Sequence, residues 1–219
     1  MFNKTKSAFT LAEVLITLVI IGVVATLTIS AVINTYVESS TVAKVKKGLS
    51  ILGQAKKLAE AQNGSIIGWD YGSTWSKENN QKFFNYIKPY ISIAKDCGSA
   101  LNCYQSNSVY KLNGNPHNNY NTSNKFYKFV LADGSVMWFG ASISGRCSAG
   151  IDDIDNFCAT FFYDVNGDKK PNTIGRDVFA YRMYIDGVYP SRKTDCSKNS
   201  DGWGCTAYII KNGNMNYLH

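Results

Sequence analysis

Residues 9–33 read FTLAEVLITLVIIGVVATLTISAVI, and this run carries one charged side chain, Glu13, near its beginning. The 20 residues from Val14 to Ile33 contain no charge. An α-helix rises about 1.5 Å per residue, so this run spans roughly 30 Å, the thickness of a bilayer hydrocarbon core. A carboxylate buried in such surroundings costs about 3 kcal/mol. We therefore expect a specific partner to compensate for Glu13.

Two simpler interpretations of the first 33 residues, a secretory signal peptide and a plain membrane anchor, fit less well. A signal peptide has an apolar region of about 7–15 residues followed by a small-residue cleavage site. Here the apolar run is longer, and no such site is evident after it. A plain anchor explains the length but not Glu13. Lys4 and Lys6 precede the run and favour a cytoplasmic N-terminus by the positive-inside rule.

Residues 6–15, KSAFTLAEVL, resemble the N-terminal processing site of type IV prepilins and type II secretion pseudopilins. In that family a prepilin peptidase cuts the basic leader on the cytoplasmic side and methylates the new N-terminus. The resemblance implies cleavage between Ala8 and Phe9, N-methylation of Phe9, and Glu13 as the fifth mature residue. The family usually has glycine before the cut, where this chain has Ala8.

The resemblance further implies a structural subunit of a type IV pilus-like or type II secretion pseudopilus filament, and not an enzyme. In an apolar filament core, the Glu13 carboxylate would pair with the cationic N-terminus of a neighbouring subunit and set the register between them. The implied partners are other pilin or pseudopilin subunits, the prepilin peptidase, a platform protein with an assembly ATPase, and membrane lipid before assembly. The implied location is the bacterial inner membrane, with the N-terminus cytoplasmic and the head periplasmic or at the cell surface.

The helix is expected to continue past the apolar run. Residues 34–63 contain no proline, and apolar side chains recur there at steps of three and four. Asn63-Gly64 provides a stop signal. Gly48 and Gly53 are expected to weaken the helix. The predicted stripe consists of Val42, Val45, Leu49, Leu52 and Ala59, with Leu58 alongside, and lysines occupy much of the remaining surface: Lys44, Lys46, Lys47, Lys56 and Lys57.

These signals predict an α+β, pilin-like fold, in which the long N-terminal helix packs on an antiparallel β-sheet head with disulfide-stapled loops. Ser76 predicts the N-cap of a short helix, and Asp133-Gly134 predicts a hairpin turn. Strands are expected at 126–131, 136–139, 157–165, 178–185, 207–210 and 215–218, forming a sheet with one apolar face, and residues 212–214, with Gly213 at their centre, are expected to form the turn between the last two strands. The predicted divisions are a prepilin leader (1–8), a transmembrane or filament-core helix (9–33), its amphipathic continuation (34–63) and an extracytoplasmic head (64–219).

All six cysteines lie in the predicted head, which favours disulfides and an oxidising compartment. We favour short local rings, because cysteines that are close in sequence can close small loops beside strand ends. Zinc is a weaker alternative, since the chain has no C-x-x-C and two histidines, and free buried thiols are a stronger one. The favoured pairs are Cys97 with Cys103, Cys147 with Cys158, and Cys196 with Cys205.

Residues 164–177, DVNGDKKPNTIGRD, place oxygen ligands at alternate positions, an arrangement that can converge on calcium. The segment departs from an EF-hand, because Lys169 takes the usual glycine position and Gly175 that of the closing acid. It is similar to segments of many bacterial pseudopilin-like heads in which calcium can order the loop. The expected ligands are Asp164, Asn166, Asp168 and Asp177. The alternative is a turn whose Asx side chains bond their own backbone.

Charge and composition leave other classes of function open. The formal net charge of +7 is compatible with DNA binding, but no cluster of arginines and aromatics marks a nucleic-acid groove. Two histidines, no phosphate loop and no H-E-x-x-H offer little for catalysis. The alternatives are a membrane-tethered protein that binds glycan or DNA without polymerising, and a tethered secreted enzyme. The choice among secretion pseudopilin, type IV pilin and DNA-uptake pilin stays open.

Overall fold

The structure, a computed structural model, describes residues 9–72, 76–103, 108–117, 120, 122–141, 147, 157–167, 169–191 and 195–219. For residues 27, 30, 31 and 157 it describes the backbone only. The chain divides into two compact units, residues 1–40 and residues 41–219.

The first unit contains the beginning of helix α1, which spans Leu11–Asn63. Thr10 is its N-cap, because the Thr10 carbonyl accepts the Val14 N–H at 3.2 Å. The large apolar side chains described between residues 9 and 37 are exposed. The transmembrane role predicted for residues 9–33 is not confirmed: within the described part of the chain, no helix is both long enough and apolar enough to cross a membrane.

In the second unit, the remainder of α1 lies with one face against the core. The predicted stripe is confirmed at Val45, Leu52 and Ala59, which are fully buried, whereas Leu58 is 52% exposed. Lys56 was expected on the polar side, yet it is buried. The helix ends at Asn63 as predicted.

A glycine sets how closely α1 approaches the sheet. A Cβ atom at Gly48 would lie 2.7 Å from Cδ1 of Tyr163, so only glycine fits there without a shift of the ring. Beside it, the Tyr181 hydroxyl donates a hydrogen bond of 2.7 Å to the carbonyl of Val45. Sequence reasoning treated Gly48 as a weak point of the helix, but it is a packing contact.

The described strands form one antiparallel sheet whose six strands follow chain order. The hairpin predicted at Asp133-Gly134 is confirmed, with Gly134 at a φ of 81°. The arrangement of a long helix on an antiparallel sheet agrees with the predicted α+β, pilin-like fold. The strands are β1 (Ile93–Gly98), β2 (Tyr127–Leu131), β3 (Val136–Ala141), β4 (Phe157–Asp164), β5 (Val178–Tyr184) and β6 (Val188–Pro190).

The sheet is buried on both faces, so the prediction of one apolar face is wrong. One face, which includes Phe139 and Phe161, belongs to the same core as α1. The opposite face, which includes Trp138 and Phe162, packs against Tyr120 from the segment between β1 and β2. Strands covered on both sides are apolar at odd and even positions alike, as the runs FCATFFYD and VFAYRMY are.

Of the two remaining α-helices, the first was predicted from the sequence and the second was not. Helix α2 spans Lys77–Ile87, and its predicted N-cap, Ser76, accepts the Asn79 N–H at 3.1 Å. The predicted C-terminal strands are wrong, because α3 spans Cys205–Asn212 and a short 3₁₀ helix covers Asn216–Leu218. Gly213, expected in a hairpin turn, ends α3 in the left-handed conformation. Two further 3₁₀ helices cover Ile66–Gly68 and Lys88–Tyr90.

Three disulfides staple the loops of the second unit, and no described cysteine is free. They close the local rings favoured above rather than linking distant segments. The bonded pairs are Cys97–Cys103, Cys147–Cys158 and Cys196–Cys205.

Candidate assembly site

The N-terminal end of α1 holds Glu13 in a reciprocal hydrogen-bonded arrangement with Thr10. Oε2 of Glu13 accepts from the Thr10 backbone N–H at 2.8 Å and from the Thr10 hydroxyl at 2.9 Å. In return, the Glu13 N–H donates to the Thr10 hydroxyl oxygen at 3.2 Å. This is a capping box, which the T-x-x-E spacing encodes. Sequence reasoning missed the part played by Thr10, although that signal was available.

Of the two residues that flank the predicted cleavage site, the structure describes one. Phe9 is 86% exposed and directly precedes the cap residue of the helix. Ala8, on the other side of the predicted cut, lies outside the described residues. The cleavage position therefore stays a prediction.

Threonine hydroxyls in the apolar part of α1 bond to the helix itself. Thr17 donates to the Val14 carbonyl at 2.9 Å, and Thr26 donates to the Gly22 carbonyl at 2.7 Å. Thr28 does the same with the carbonyls of Val24 and Ala25. These bonds go back one turn and satisfy the hydroxyls without water. This surface of the helix is therefore compatible with apolar surroundings, despite its threonines.

The two edge strands of the sheet, β1 and β6, are poorly suited to pairing with a strand of another chain. The pairing of β1 with β2 is interrupted by two irregularities, and β1 exposes Lys95 and Asp96. At the opposite edge, β6 has three residues and ends at Pro190, which has no N–H to donate. Bulges, charges, short length and proline are the features that keep sheet edges from pairing with other chains.

Three of the four predicted cation ligands meet in the structure. Asp164 is fully buried and Asp177 is 3% exposed. The Asn166 side-chain amide donates to Oδ2 of Asp177 at 3.0 Å, and the Asn166 N–H donates to Oδ1 of Asp164 at 3.2 Å. Asp168, the fourth, lies outside the described residues.

The hydrogen bonds of Asp177 fit the turn alternative as well as they fit a metal site. Backbone N–H groups of Asn172 and Thr173 donate to its carboxylate at 2.8 and 2.6 Å. Burial raises the pKa of Asp177, while these N–H donors oppose the rise. Oδ1 of Asn166 is buried and accepts no hydrogen bond from the described residues, so this oxygen is available to a cation. The described residues contain no group of three or more His, Cys, Asp or Glu suited to a metal, so calcium stays a prediction.

Several lysines of the second unit point at backbone carbonyls rather than into solvent. Lys44 Nζ donates to the Val165 carbonyl at 2.7 Å, and Lys56 Nζ donates to the Ile185 carbonyl at 2.9 Å. Lys128 is fully buried, and its ammonium donates to the carbonyls of Ser123 at 2.7 Å and Ala100 at 3.0 Å. Burial lowers the pKa of Lys128 to about 8. These three charges serve the fold, which weakens the case for a DNA-binding surface.

Comparison with known proteins identifies both parts of the chain. Residues 3–29 match the prokaryotic N-terminal methylation motif, which is the signature of type IV pilins and pseudopilins and confirms the resemblance stated above. The motif implies a membrane-anchored precursor, processing by prepilin peptidase and assembly with other pilin subunits. No curated protein and no solved structure matches the chain. Because residues 31–219 match the model of a family of unknown function, DUF6613, the chain belongs to that family and carries the pilin signature in front of it.

Proposed function

We propose that this chain is a structural subunit of a type IV pilus-like or type II secretion pseudopilus filament. Prepilin peptidase cuts between Ala8 and Phe9 and methylates Phe9, and the subunit then assembles through α1. The observation that carries the proposal is the methylation motif at residues 3–29, which leads into a helix with exposed apolar side chains.

The exposed apolar side chains of the first unit must be shielded from water by another molecule. Ile16, Val19 and Ile21 are each 60% exposed or more, as are several of their neighbours. Burying one such side chain contributes about 2 kcal/mol, so a filament core lined by them would be strongly stabilised. Before assembly, the lipid of the bacterial inner membrane surrounds these side chains, and Lys4 and Lys6 lie on the cytoplasmic side. A platform protein and an assembly ATPase supply the work of extraction.

Glu13 supplies specificity within that apolar core. Cleavage leaves a cationic N-terminus at Phe9, and the Glu13 carboxylate of a neighbouring subunit neutralises it. Two charges that would each be unfavourable alone become one hydrogen-bonded pair, and that pair fixes the register between subunits. Polymerisation through α1 also agrees with the protected sheet edges of the second unit.

His117 gives the tethered-enzyme alternative no specific support. Its Nε2 is 2.7 Å from the Tyr120 hydroxyl, and its ring packs edge-on against Trp203. These contacts place the ring in an aromatic cluster of the second unit.

Replacement of Glu13 tests the proposal. We compare Glu13→Gln with Glu13→Asp in the producing cell and measure filament yield after shearing, by immunoblotting and electron microscopy. Glu13→Gln, which keeps the shape and removes the charge, should abolish filaments, while Glu13→Asp should retain part of the yield. Normal filaments from processed Glu13→Gln subunits would contradict the proposal. A non-polymerising tether would give no filaments from the unmodified chain.

A further inference from the structure

The second unit has a cleft of about 260 Å³ beside the part of α1 that packs on the sheet. It is lined by α1, by the connection from the 3₁₀ helix Lys88–Tyr90 into β1, and by the end of β2. Ile51, Tyr90 and Leu131 give the cleft apolar walls. Sites for drug-sized ligands measure about 300–1,000 Å³, so this cleft suits a smaller ligand, about the size of one sugar ring.

Lys47 and Asp133 give the cleft one charge of each sign. Lys47 Nζ is 2.7 Å from Oδ2 of Asp133, and the two side chains are 54% and 27% exposed. The Ser135 backbone N–H fixes the carboxylate by donating to Oδ1 at 3.1 Å. An ammonium has three N–H donors and a carboxylate can accept about four hydrogen bonds, so both groups can bind a ligand while they stay paired. A charged ligand would be attracted by one group and repelled by the other, which favours a neutral ligand.

Three more polar groups of the cleft have unused hydrogen-bonding capacity. The hydroxyls of Tyr90 and Ser92 make no hydrogen bond to the described residues. The Gln54 side-chain amide donates to Oγ of Ser50 at 2.7 Å, which leaves its carbonyl oxygen as an acceptor. The cleft therefore combines apolar walls with donors and acceptors, the composition typical of small-molecule sites.

We propose that this cleft binds one neutral sugar ring. Sugar hydroxyls both donate and accept, so a pair of neighbouring hydroxyls can donate to Asp133 and accept from Lys47 without breaking the ion pair. The ring also has a face of C–H groups, which packs against Tyr90 and Ile51. The inference does not depend on polymerisation, because all the lining residues belong to the second unit.

The competing explanation is a groove that holds water alone, beside an ion pair that serves the fold. Exposed ion pairs contribute little to stability, so Lys47→Met removes a ligand contact while the chain still folds. Tyr90→Ala removes the aromatic wall. Tyr110→Ala is the matched control, because Tyr110 is 42% exposed and does not line the cleft.

The experiment uses the full chain in a zwitterionic detergent that carries no sugar headgroup. Saturation-transfer-difference NMR measures the binding of the methyl glycosides of glucose, galactose, mannose and N-acetylglucosamine. At least one glycoside should receive saturation. Lys47→Met and Tyr90→Ala should each raise its dissociation constant about tenfold, whereas Tyr110→Ala should leave it unchanged. Methyl glucuronide, which adds a carboxylate to the glucose ring, should bind more weakly than methyl glucoside.

Three results would overturn the inference. The first is no saturation transfer to any of the four glycosides. The second is transfer that both cleft variants leave unchanged, since the sugar would then bind elsewhere. The third is tighter binding of methyl glucuronide, which would make the cleft an anion site. None of these results bears on filament assembly, which the Glu13→Gln comparison tests separately.

Discussion

The two ends of α1 differ in which side chains they expose and in where their polar groups find hydrogen-bond partners. In residues 9–40, apolar side chains face outward, and the described threonine hydroxyls bond to the helix itself. In residues 41–63, the apolar stripe is buried, and Lys44 and Lys56 bond to carbonyls elsewhere in the same unit. The same secondary structure therefore serves two purposes. The first end leaves its apolar surface exposed, and the second end completes the core of the second unit.

Replacing leucine by alanine should change the free energy of unfolding strongly at the second end of α1 and hardly at all at the first end. Leu52 is fully buried, whereas Leu18 is 60% exposed. Leu52→Ala should destabilise the head by about 3 kcal/mol, because it removes buried methyl groups and leaves a cavity. Leu18→Ala should leave the unfolding of the head unchanged. Denaturant unfolding of the full chain in detergent, followed by tryptophan fluorescence, measures both. Equal effects would contradict the distinction.

Two glycines of α1 should respond to alanine with opposite signs. A Cβ at Gly48 would lie 2.7 Å from the Tyr163 ring, whereas a Cβ at Gly53 would have no described atom within 4 Å apart from its own stretch of helix. Gly48→Ala should therefore lower the free energy of unfolding by about 2 kcal/mol through overpacking. Gly53→Ala should raise it by about 0.5–1 kcal/mol through helix propensity. A stabilising Gly48→Ala, measured in the same way, would show that α1 does not pack this closely on Tyr163.

These glycines show what local signals can and cannot reveal. Asn63-Gly64, Ser76 and Asp133-Gly134 gave correct boundaries because each acts within a few residues of itself. Gly48 and Lys56 were misjudged because their partners, Tyr163 and the carbonyl of Ile185, lie more than a hundred residues away in sequence. No helical periodicity contains that information.

The C-terminal error has a different physical origin. A short apolar run such as Ala207–Ile210 fits a strand or a buried helix equally well, and its flanking residues decide between them. Gly213 ends a helix here, although Asn-Gly is also a hairpin signal. In the candidate site, the cap at Thr10 was readable from the T-x-x-E spacing, but it required coordinates to show that both Thr10 donors bind the same oxygen of Glu13, Oε2.

The buried ammonium of Lys128 predicts an unusual pH dependence for the head. Its pKa is about 8 in the fold, below the value near 10.5 of an unfolded lysine. The folded state therefore releases this proton first, so the stabilising contribution is complete above pH 10.5 and is lost as the pH falls through about 8. The free energy of unfolding, measured from pH 7.5 to 10, should rise less in Lys128→Met than in the unmodified chain. Identical slopes would contradict the burial of this charge.

Calcium should have the smallest effect on the stability of the chain, through binding at the loop that contains Asp164, Asn166 and Asp177. If the cation binds there, calcium should raise the melting temperature of the chain by a few degrees relative to chelator. Asp177→Asn should lose that response. No shift in the unmodified chain would leave the hydrogen-bonded turn as the correct interpretation.

Processing after Ala8 can be read directly by mass spectrometry of the N-terminus of the mature chain. We expect a chain that begins at N-methylated Phe9, in both the membrane and the filament fraction. An intact Met1, or a new terminus after the apolar run near residue 31, would contradict it.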